Sequence, residues 1–283
     1  MHLRIATCRP LPEPDVDEDL LLAALAARGV DVRMAAWRGG DEDWDAPVPT
    51  LVRSTWDYIH DLPAFRRWIE RAAHAAPLWN PAGILLGNLH KRYLLDLQQR
   101  GVPTVPTELV VAGSGQRLAP LLDARGWRDV VIKPAVGAGS FETHRIRSGD
   151  LDHGEAVLCR LVADRDVLVQ PYLPSVERYG ERAMVWIDGE FTHAVRKTPR
   201  FAEGVEQVSE AMPLTDAERA VGTAALAPLA GSLVYARVDV APDEYGQPQI
   251  MELELVEPSL FLLQERRALD RLVRAVLRRI ESL

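Results

Sequence analysis

Two stretches near the C-terminus decide the reading: Leu233-Val234-Tyr235-Ala236-Arg237-Val238-Asp239-Val240 and, beyond a turn at Asp243–Gly246, Gln249-Ile250-Met251-Glu252-Leu253-Glu254. Both read as strands, and between them they carry three carboxylates. Side chains two apart on a strand share a face, so Glu252 and Glu254 point one way while Met251, Leu253 and Leu255 point to the opposite, apolar face. Carboxylates this close repel one another unless a cation lies between them. Oxygen-only ligands suit Mg2+, which commonly bridges a few carboxylates to nucleotide phosphates, so Asp239, Glu252 and Glu254 are candidate metal ligands. A solvated acidic face is the alternative that these residues alone leave open.

Upstream lie three further candidates. The run Lys133-Pro134-Ala135-Val136-Gly137-Ala138-Gly139-Ser140 ends a strand in a lysine and continues as a Gly-rich loop. Small residues let backbone N–H groups approach phosphate oxygens, and Lys133 adds a point charge. The spacing is not that of a P-loop. In Val169-Gln170-Pro171-Tyr172-Leu173 an apolar strand breaks at a proline, which would free backbone groups for the edge of an adenine ring. Arg182, Arg196 and Lys197 lie on the clearest hairpin, Arg182 to Lys197, whose Asp188-Gly189 pair favours a tight type I′ turn. They are either solvated edge charges or cations converging on an anionic substrate or phosphoryl group.

The elements around these motifs fall into three stretches. Residues 1–86 alternate strand and helix: strands at Leu3–Thr7, Val30–Met34 and Leu51–Thr55, helices at Leu20–Arg28 and Leu62–His74, with Gly29 as a left-handed stop. That order predicts a parallel, Rossmann-like lobe, without the G-x-G-x-x-G of a dinucleotide site. Residues 87–168 begin with a helix from Leu89 to Arg100 and an extended linker Val102–Pro106. They continue with strands at Val130–Lys133 and Thr143–Ile146, a helix from Leu151 to Val162 and the start of the strand Val167–Gln170. Residues 169–283 hold the hairpin, a helix from Thr215 to Leu229, the two carboxylate strands and a basic amphipathic helix from Gln264 onward. Arg53, Thr55, Trp56 and Asp57 close the third strand of the first lobe, where parallel sheets commonly hold ligands, and are candidates for gripping substrate. Packing is the alternative role for Trp56 and Tyr58.

Composition narrows the class. At 283 residues, 47% apolar and 26% charged, the chain can bury several subdomain cores and is not pervasively disordered. A formal net charge of −8 disfavours nucleic-acid binding. There is no apolar run long enough to span a bilayer and no signal-peptide pattern at the start, so the expected location is cytoplasmic, with no membrane partner. Two cysteines far apart, Cys8 and Cys159, fit a reducing compartment and are expected to be buried thiols.

In order and content, these pieces resemble the ATP-grasp superfamily, and within it the glutathione-synthetase-like ligases. The resemblance covers Asn88 to the C-terminus, and the first lobe suits the family's N-terminal domain. It implies an α/β ATP-grasp fold, a Rossmann-like lobe followed by two α+β lobes clasping ATP. Lys91 then resembles the first nucleotide lysine, and Lys133 with Gly137, Gly139 and Ser140 the second and its phosphate loop. Gln170, Pro171, Tyr172 and Leu173 look like the adenine hinge, with Glu177 or Glu181 near the ribose. Arg182 and Arg196, with Lys197 beside them, resemble the cations at the γ-phosphate and acyl phosphate, and Asp239, Glu252 and Glu254 fall at metal-ligand positions for Mg2+. Two departures stand out: Glu254 occupies a position usually held by asparagine, and the Gly-rich substrate loop of glutathione synthetases is missing between Lys197 and Pro213.

The phrases Arg53-Ser54-Thr55-Trp56-Asp57-Tyr58, Gly189-Glu190-Phe191-Thr192-His193-Ala194 and Glu252-Leu253-Glu254-Leu255-Val256-Glu257-Pro258 are instead similar to a subgroup containing a cyclo-ligase that closes O-ureido-D-serine to D-cycloserine. The implied activity is ATP-dependent activation of a small amino-acid-like carboxylate as an acyl phosphate, followed by attack of a nitrogen from the same molecule. An intermolecular carboxylate–amine ligase and a non-catalytic ATP-binding regulator are the rival readings.

Overall fold

The computed structural model describes residues 1–198 and 207–283. The first lobe contains β1 (His2–Thr7), α1 (Glu18–Ala26), β2 (Asp31–Ala36), β3 (Thr50–Val52), α2 (Leu62–Ala75), β4 (Leu78–Trp79) and α3 (Ala82–Asn88). Its sheet runs β2-β1-β3-β4, and every pairing is parallel, as the alternation of strand and helix predicts. Local chemistry sets the helix ends. Glu18 and Asp19 occupy the first turn of α1, and Gly29 turns the chain out at φ 77°. The Asp61 carboxylate accepts the Ala64 N–H at 3.1 Å to start α2.

Next come α4 (Tyr93–Gln99), β5 (Glu108–Val110), α5 (Leu118–Arg125), β6 (Val130–Pro134), β7 (His144–Ile146), α6 (Leu151–Val162) and β8 (Val167–Pro171). They form an antiparallel sheet ordered β5-β8-β6-β7, with α5 and α6 packed on one face around Val130, Ile132, Leu158 and Val169. The final part comprises α7 (Ser175–Arg178), β9 (Glu181–Ile187), β10 (Glu190–Lys197), α8 (Asp216–Leu226), β11 (Tyr235–Pro242), β12 (Pro248–Glu254) and α9 (Arg266–Glu281). Its antiparallel sheet is ordered β10-β9-β11-β12. Asp188 and Gly189 both take positive φ at the β9–β10 turn, the conformation a type I′ turn requires. The basic face of α9 clamps that turn: Arg271 donates to the Ile187 carbonyl at 2.7 Å, and Arg279 to the Asp188 carboxylate at 2.9 Å.

The first and last sheets share one core. Leu3, Ile5, Leu21 and Leu25 pack with Val185, Ile187, Val195, Leu269 and Leu272. The opposite face of the first sheet buries an aromatic group of Trp37, Phe65, Trp68 and Trp44.

Several expectations change. Leu89 to Arg100 is not one helix: α3 ends at Asn88, α4 starts at Tyr93, and the turn between them carries Lys91. The Lys91 N–H bonds the Ala135 carbonyl at 2.7 Å, a contact a continuous helix would forbid. The third strand stops at Val52, and Trp56–His60 wind into a 3₁₀ turn. Short β4, β5, α3, α5 and α7 carry too little periodicity to be read in sequence. Cys8 is buried as expected, whereas Cys159 is exposed on α6. Residues 199–206, within the interval expected to lack a Gly-rich loop, lie outside the described residues. Among the described residues no helix is long and apolar enough to cross a membrane.

Candidate active site

β11 and β12 pair so that Asp239 faces Glu252 and Arg237 faces Glu254. The register shifts by one residue between Asp239 and Val240, leaving Met251 as the extra residue of a β-bulge. This corrects the expected alternation: Ile250, Leu253 and Leu255 lie in the apolar core, and Met251 does not. The bulge therefore resets the strand's phase just before the carboxylates, and Glu252 and Glu254 emerge together on the polar face.

On that face cations and carboxylates interlock. Lys133, at the end of β6, reaches Glu252 Oε1 at 3.0 Å, and Lys91 approaches the same oxygen at 3.8 Å. Lys197 bonds Asp239 at 2.6 Å and Glu181 at 3.3 Å. Arg237 donates Nε to Asp239 Oδ1 at 2.8 Å and also bonds Glu254. Lys91, Lys133, Lys197 and Arg237 thus balance Asp239, Glu252, Glu254 and Glu181. Burial would raise the Glu252 carboxyl, but Lys91 and Lys133 outweigh it and hold it down to about 2. Burial likewise opposes ionisation of Asp239, and Arg237 with Lys197 keeps it below the usual range. Glu254 goes the other way: burial, reinforced by Asp239 and Glu252, exceeds the pull of Arg237 and pushes it up to about 7.

The Gly-rich loop covers this cluster. Lys91 Nζ donates to the Gly137 carbonyl at 2.5 Å. Gly139, Ser140 and Glu142 take positive φ, a conformation glycine tolerates and the other two do not favour. Val136 and Ala138 pack on the aromatic core of the first lobe, and Phe141 meets His60 edge-on with ring centroids 5.9 Å apart. The loop thus spans from the second sheet to the first.

At the hinge, β8 runs through Pro171, which pairs with Val130, and the Tyr172 N–H bonds the Asp129 carbonyl at 2.8 Å. The proline therefore does not free the Tyr172 N–H as expected; the Leu173 N–H is the one without a bond among the described residues. Gln170 is buried, with its amide on the Thr107 hydroxyl at 2.8 Å. The two ribose candidates separate. Glu181 belongs to the Lys197 cluster, while Glu177 pairs with Arg145, whose guanidinium sits 3.7 Å from the Tyr172 ring centroid. Glu177 and Arg145, with Arg147 and Asp150, line an open cleft of about 310 Å³.

Other expected site residues are drawn elsewhere. Arg182 is buried and forms a two-point ion pair with Glu218 of α8, at 2.8 and 3.1 Å, plus a bond to the Pro213 carbonyl. Two of its three guanidinium nitrogens are engaged in this way, which ties Arg182 to α8. Arg196 is exposed and has no ion-pair partner among the described residues. Asp57 accepts from the Trp37 indole at 2.5 Å and from Arg38 at 3.1 Å, which removes it as a free carboxylate. Arg53 is buried, donates to the Pro258 carbonyl at 2.8 Å and stacks 5.5 Å from the Tyr235 ring centroid. Trp56 donates its indole N–H to the Glu257 carbonyl at 2.9 Å, and the buried Thr55 hydroxyl has no partner among the described residues.

Four contributors went unread in the sequence. Arg237 was within reach, since it lies two residues before Asp239 on the same face. Glu257, Asn88 and Tyr93 were not, because their places depend on contacts between distant segments. The Asn88 amide bonds both the Leu253 carbonyl (2.9 Å) and the Leu255 N–H (2.8 Å), and the Tyr93 hydroxyl accepts from Leu253 N at 3.2 Å. Burial, with the Glu254 charge, pushes the Glu257 carboxyl up to about 8.

Metal fit follows from the donor set. Among the described residues no three His, Cys, Asp or Glu side chains converge as a ready-made cage, so the expected triad is not a closed site. Mg2+ rarely needs one, as it takes one or two carboxylates and fills its sphere with phosphate oxygens and water. Asp239 and Glu252, cross-strand neighbours with Lys133 and Lys91 alongside, fit that use.

Comparison with known proteins shows the family. Residues 3–80 match the sequence model of the D-cycloserine synthetase DcsG N-terminal domain. The cycloserine biosynthesis protein DcsG of Streptomyces lavendulae is 33% identical over 264 residues, covering 88% of each chain. The crystal structure of D-cycloserine synthetase DcsG superposes with a TM-score of 0.90 at 31% identity, over 99% of both chains. An ATP-grasp ligase, PsnB, solved with its minimal precursor, Mg and ADP, shares the fold at a TM-score of 0.63 and 18% identity, over 97% of this chain and 96% of that one. The chain belongs to the DcsG family of ATP-grasp ligases, enzymes that form a carbon–nitrogen bond at the expense of ATP.

Proposed function

We propose that this ligase activates the carboxylate of O-ureido-D-serine and closes it intramolecularly to D-cycloserine. The observation that carries the reading is the match of the first lobe to the D-cycloserine synthetase N-terminal domain, because that lobe brings Arg53, Thr55 and Trp56 to the end of β12. Lys91 and Lys133 bind the phosphates of ATP, with the backbone of Gly137, Gly139 and Ser140 beside them. The Leu173 N–H and its neighbours in the Gln170–Leu173 hinge read adenine, with Glu177 and Glu181 on the nucleotide side. Asp239 and Glu252, supported by Glu254, hold Mg2+, which neutralises phosphate charge when bound.

The substrate carboxylate oxygen attacks the γ-phosphorus and ADP leaves. The nitrogen bound to the side-chain oxygen then attacks the acyl carbon as phosphate departs. Water cleaves the carbamoyl group from that nitrogen as carbamate, which breaks down to carbon dioxide and ammonia. Lys197 and Arg196, at the end of β10, balance the negative oxygens. Arg182 holds the floor of that site through Glu218 rather than touching phosphate. A nitrogen within the same molecule gains a large effective concentration over a free amine, which favours ring closure.

The test is ADP release with O-ureido-D-serine alone against simple carboxylates supplied with separate amines. Saturation in the single substrate supports cyclisation. Activity confined to two-component mixtures would leave an intermolecular ligase.

A further inference from the structure

We propose that Glu257 receives the ammonium group of the substrate, on the carbon next to the carboxylate under activation. The assignment rests on the amino-acid reading of the substrate and names the residue that recognises it. Glu257 follows β12 by three residues and is 9% exposed, and its carbonyl is pinned by the Trp56 indole at 2.9 Å. No described side chain donates a hydrogen bond to its carboxyl, and no cation stands within ion-pair distance. The charges that act on it are Glu254, Lys91 and Arg237. A carboxyl this buried without a counter-cation is unfavourable unless something brings one.

Position narrows what that is. The Trp56 indole holds the Glu257 carbonyl and the Arg53 guanidinium holds the Pro258 carbonyl, so Glu257 lies where the substrate-side residues of the first lobe meet the end of β12, three residues beyond Glu254. An α-ammonium lies one carbon from the carboxylate under activation and must be recognised within a few ångströms of it. The Thr55 hydroxyl, one residue before Trp56, is buried and without a partner among the described residues. Asp57, the acid nearest in sequence, is already paired with the Arg38 guanidinium and the Trp37 indole.

The experiment compares O-ureido-D-serine with its des-amino counterpart, in the parent and in Glu257→Gln, by ADP release. The parent should prefer the amino compound by about thirtyfold or more in kcat/KM, the usual scale for one buried charge partner. Glu257→Gln should reduce that preference to within about threefold with the ATP KM unchanged, and Glu257→Asp should restore part of it. A parent indifferent to the ammonium overturns the assignment whatever the variants do, as does equal discrimination in parent and Glu257→Gln. If the parent releases ADP only with an added amine, cyclisation fails. The assignment is then judged by the same comparison with that amine present.

Discussion

Arg182 shows how far a single residue can be read. From the hairpin alone it is a cation near the end of a strand, and a phosphate is a reasonable partner. Folding supplies a different one, Glu218, which the sequence announces only as the fourth residue of a Thr215 capping box. Both side chains are buried, so removing one leaves the other charged and unpaired. Arg182→Met should destabilise the protein by roughly 3–5 kcal/mol in urea unfolding, and adding Glu218→Leu should recover much of that loss. A catalytic Arg182 would instead leave the double variant stable and inactive through a lost kcat; we expect the double variant to keep measurable ADP release. His193 gives the pH counterpart. Burial lowers it from 6.5 to about 4, and its Nε2 has no partner among the described residues. Between those values the unfolded chain binds a proton that the folded chain refuses, so stability is full above about pH 6.5 and falls as pH drops toward 4. Unfolding free energies measured across that range should flatten in His193→Phe.

β12 carries two of the candidate metal carboxylates, and its placement is an element-scale problem. Its inner edge pairs with β11, while among the described residues no strand lies beside the other edge. The segment expected to be a bare linker covers that edge: Val105 donates to the Ile250 carbonyl at 2.9 Å, and Ile250 to the Pro103 carbonyl at 3.0 Å. Asn88 then stands in for a strand at Leu253 and Leu255. The strands themselves were legible, because apolar runs bounded by turn residues specify them locally. The Met251 bulge was not, since strict alternation is the only phase a sequence displays and the extra residue is imposed by pairing. The Leu89–Arg100 helix failed for a related reason, a tertiary bond from Lys91 to Ala135 overriding local periodicity. Asn88→Ala leaves two main-chain groups of the catalytic strand without partners. It should cost about 2 kcal/mol in stability and lower kcat more than it raises the ATP KM. Asn88→Asp keeps the acceptor for Leu255 and should fall between. A kcat equal to the parent's would show that the linker alone fixes the strand.

At the scale of the molecule, the parallel first lobe and the paired carboxylate strands were readable as separate pieces, but the way the sheets join was not. The first and last sheets are joined by one continuous core, whereas the second sheet has its own around α5 and α6. It meets the last sheet at Ala135 and Leu168, and through the lysine–carboxylate contacts of Lys133 and Lys91 with Glu252. Polar links of this kind are weak where water reaches them, so the second sheet is the part whose attachment a ligand can strengthen. ATP with Mg2+ offers such a ligand, with phosphates for the lysines and a divalent cation for the carboxylates. A ligand bound only by the folded state stabilises it by about 2.7 kcal/mol at a hundredfold excess over its Kd. For a chain of this size that is a rise of roughly 4–8 °C in Tm. We expect this rise with ATP and Mg2+ together, and a clearly smaller one with ATP and a chelator, read by calorimetry at fixed protein concentration. Lys133→Ala removes the cation at the sheet junction and should raise the ATP KM about tenfold, a loss of about 1.4 kcal/mol, with a matching fall in the Tm shift at the same ATP concentration. Because Lys133 also balances Glu252, its own unliganded Tm is the baseline for that comparison. A full-sized shift in Lys133→Ala would mean that ATP binds without bridging the two sheets through this lysine. The hinge at Gln170–Leu173 would then account for the stabilisation by itself.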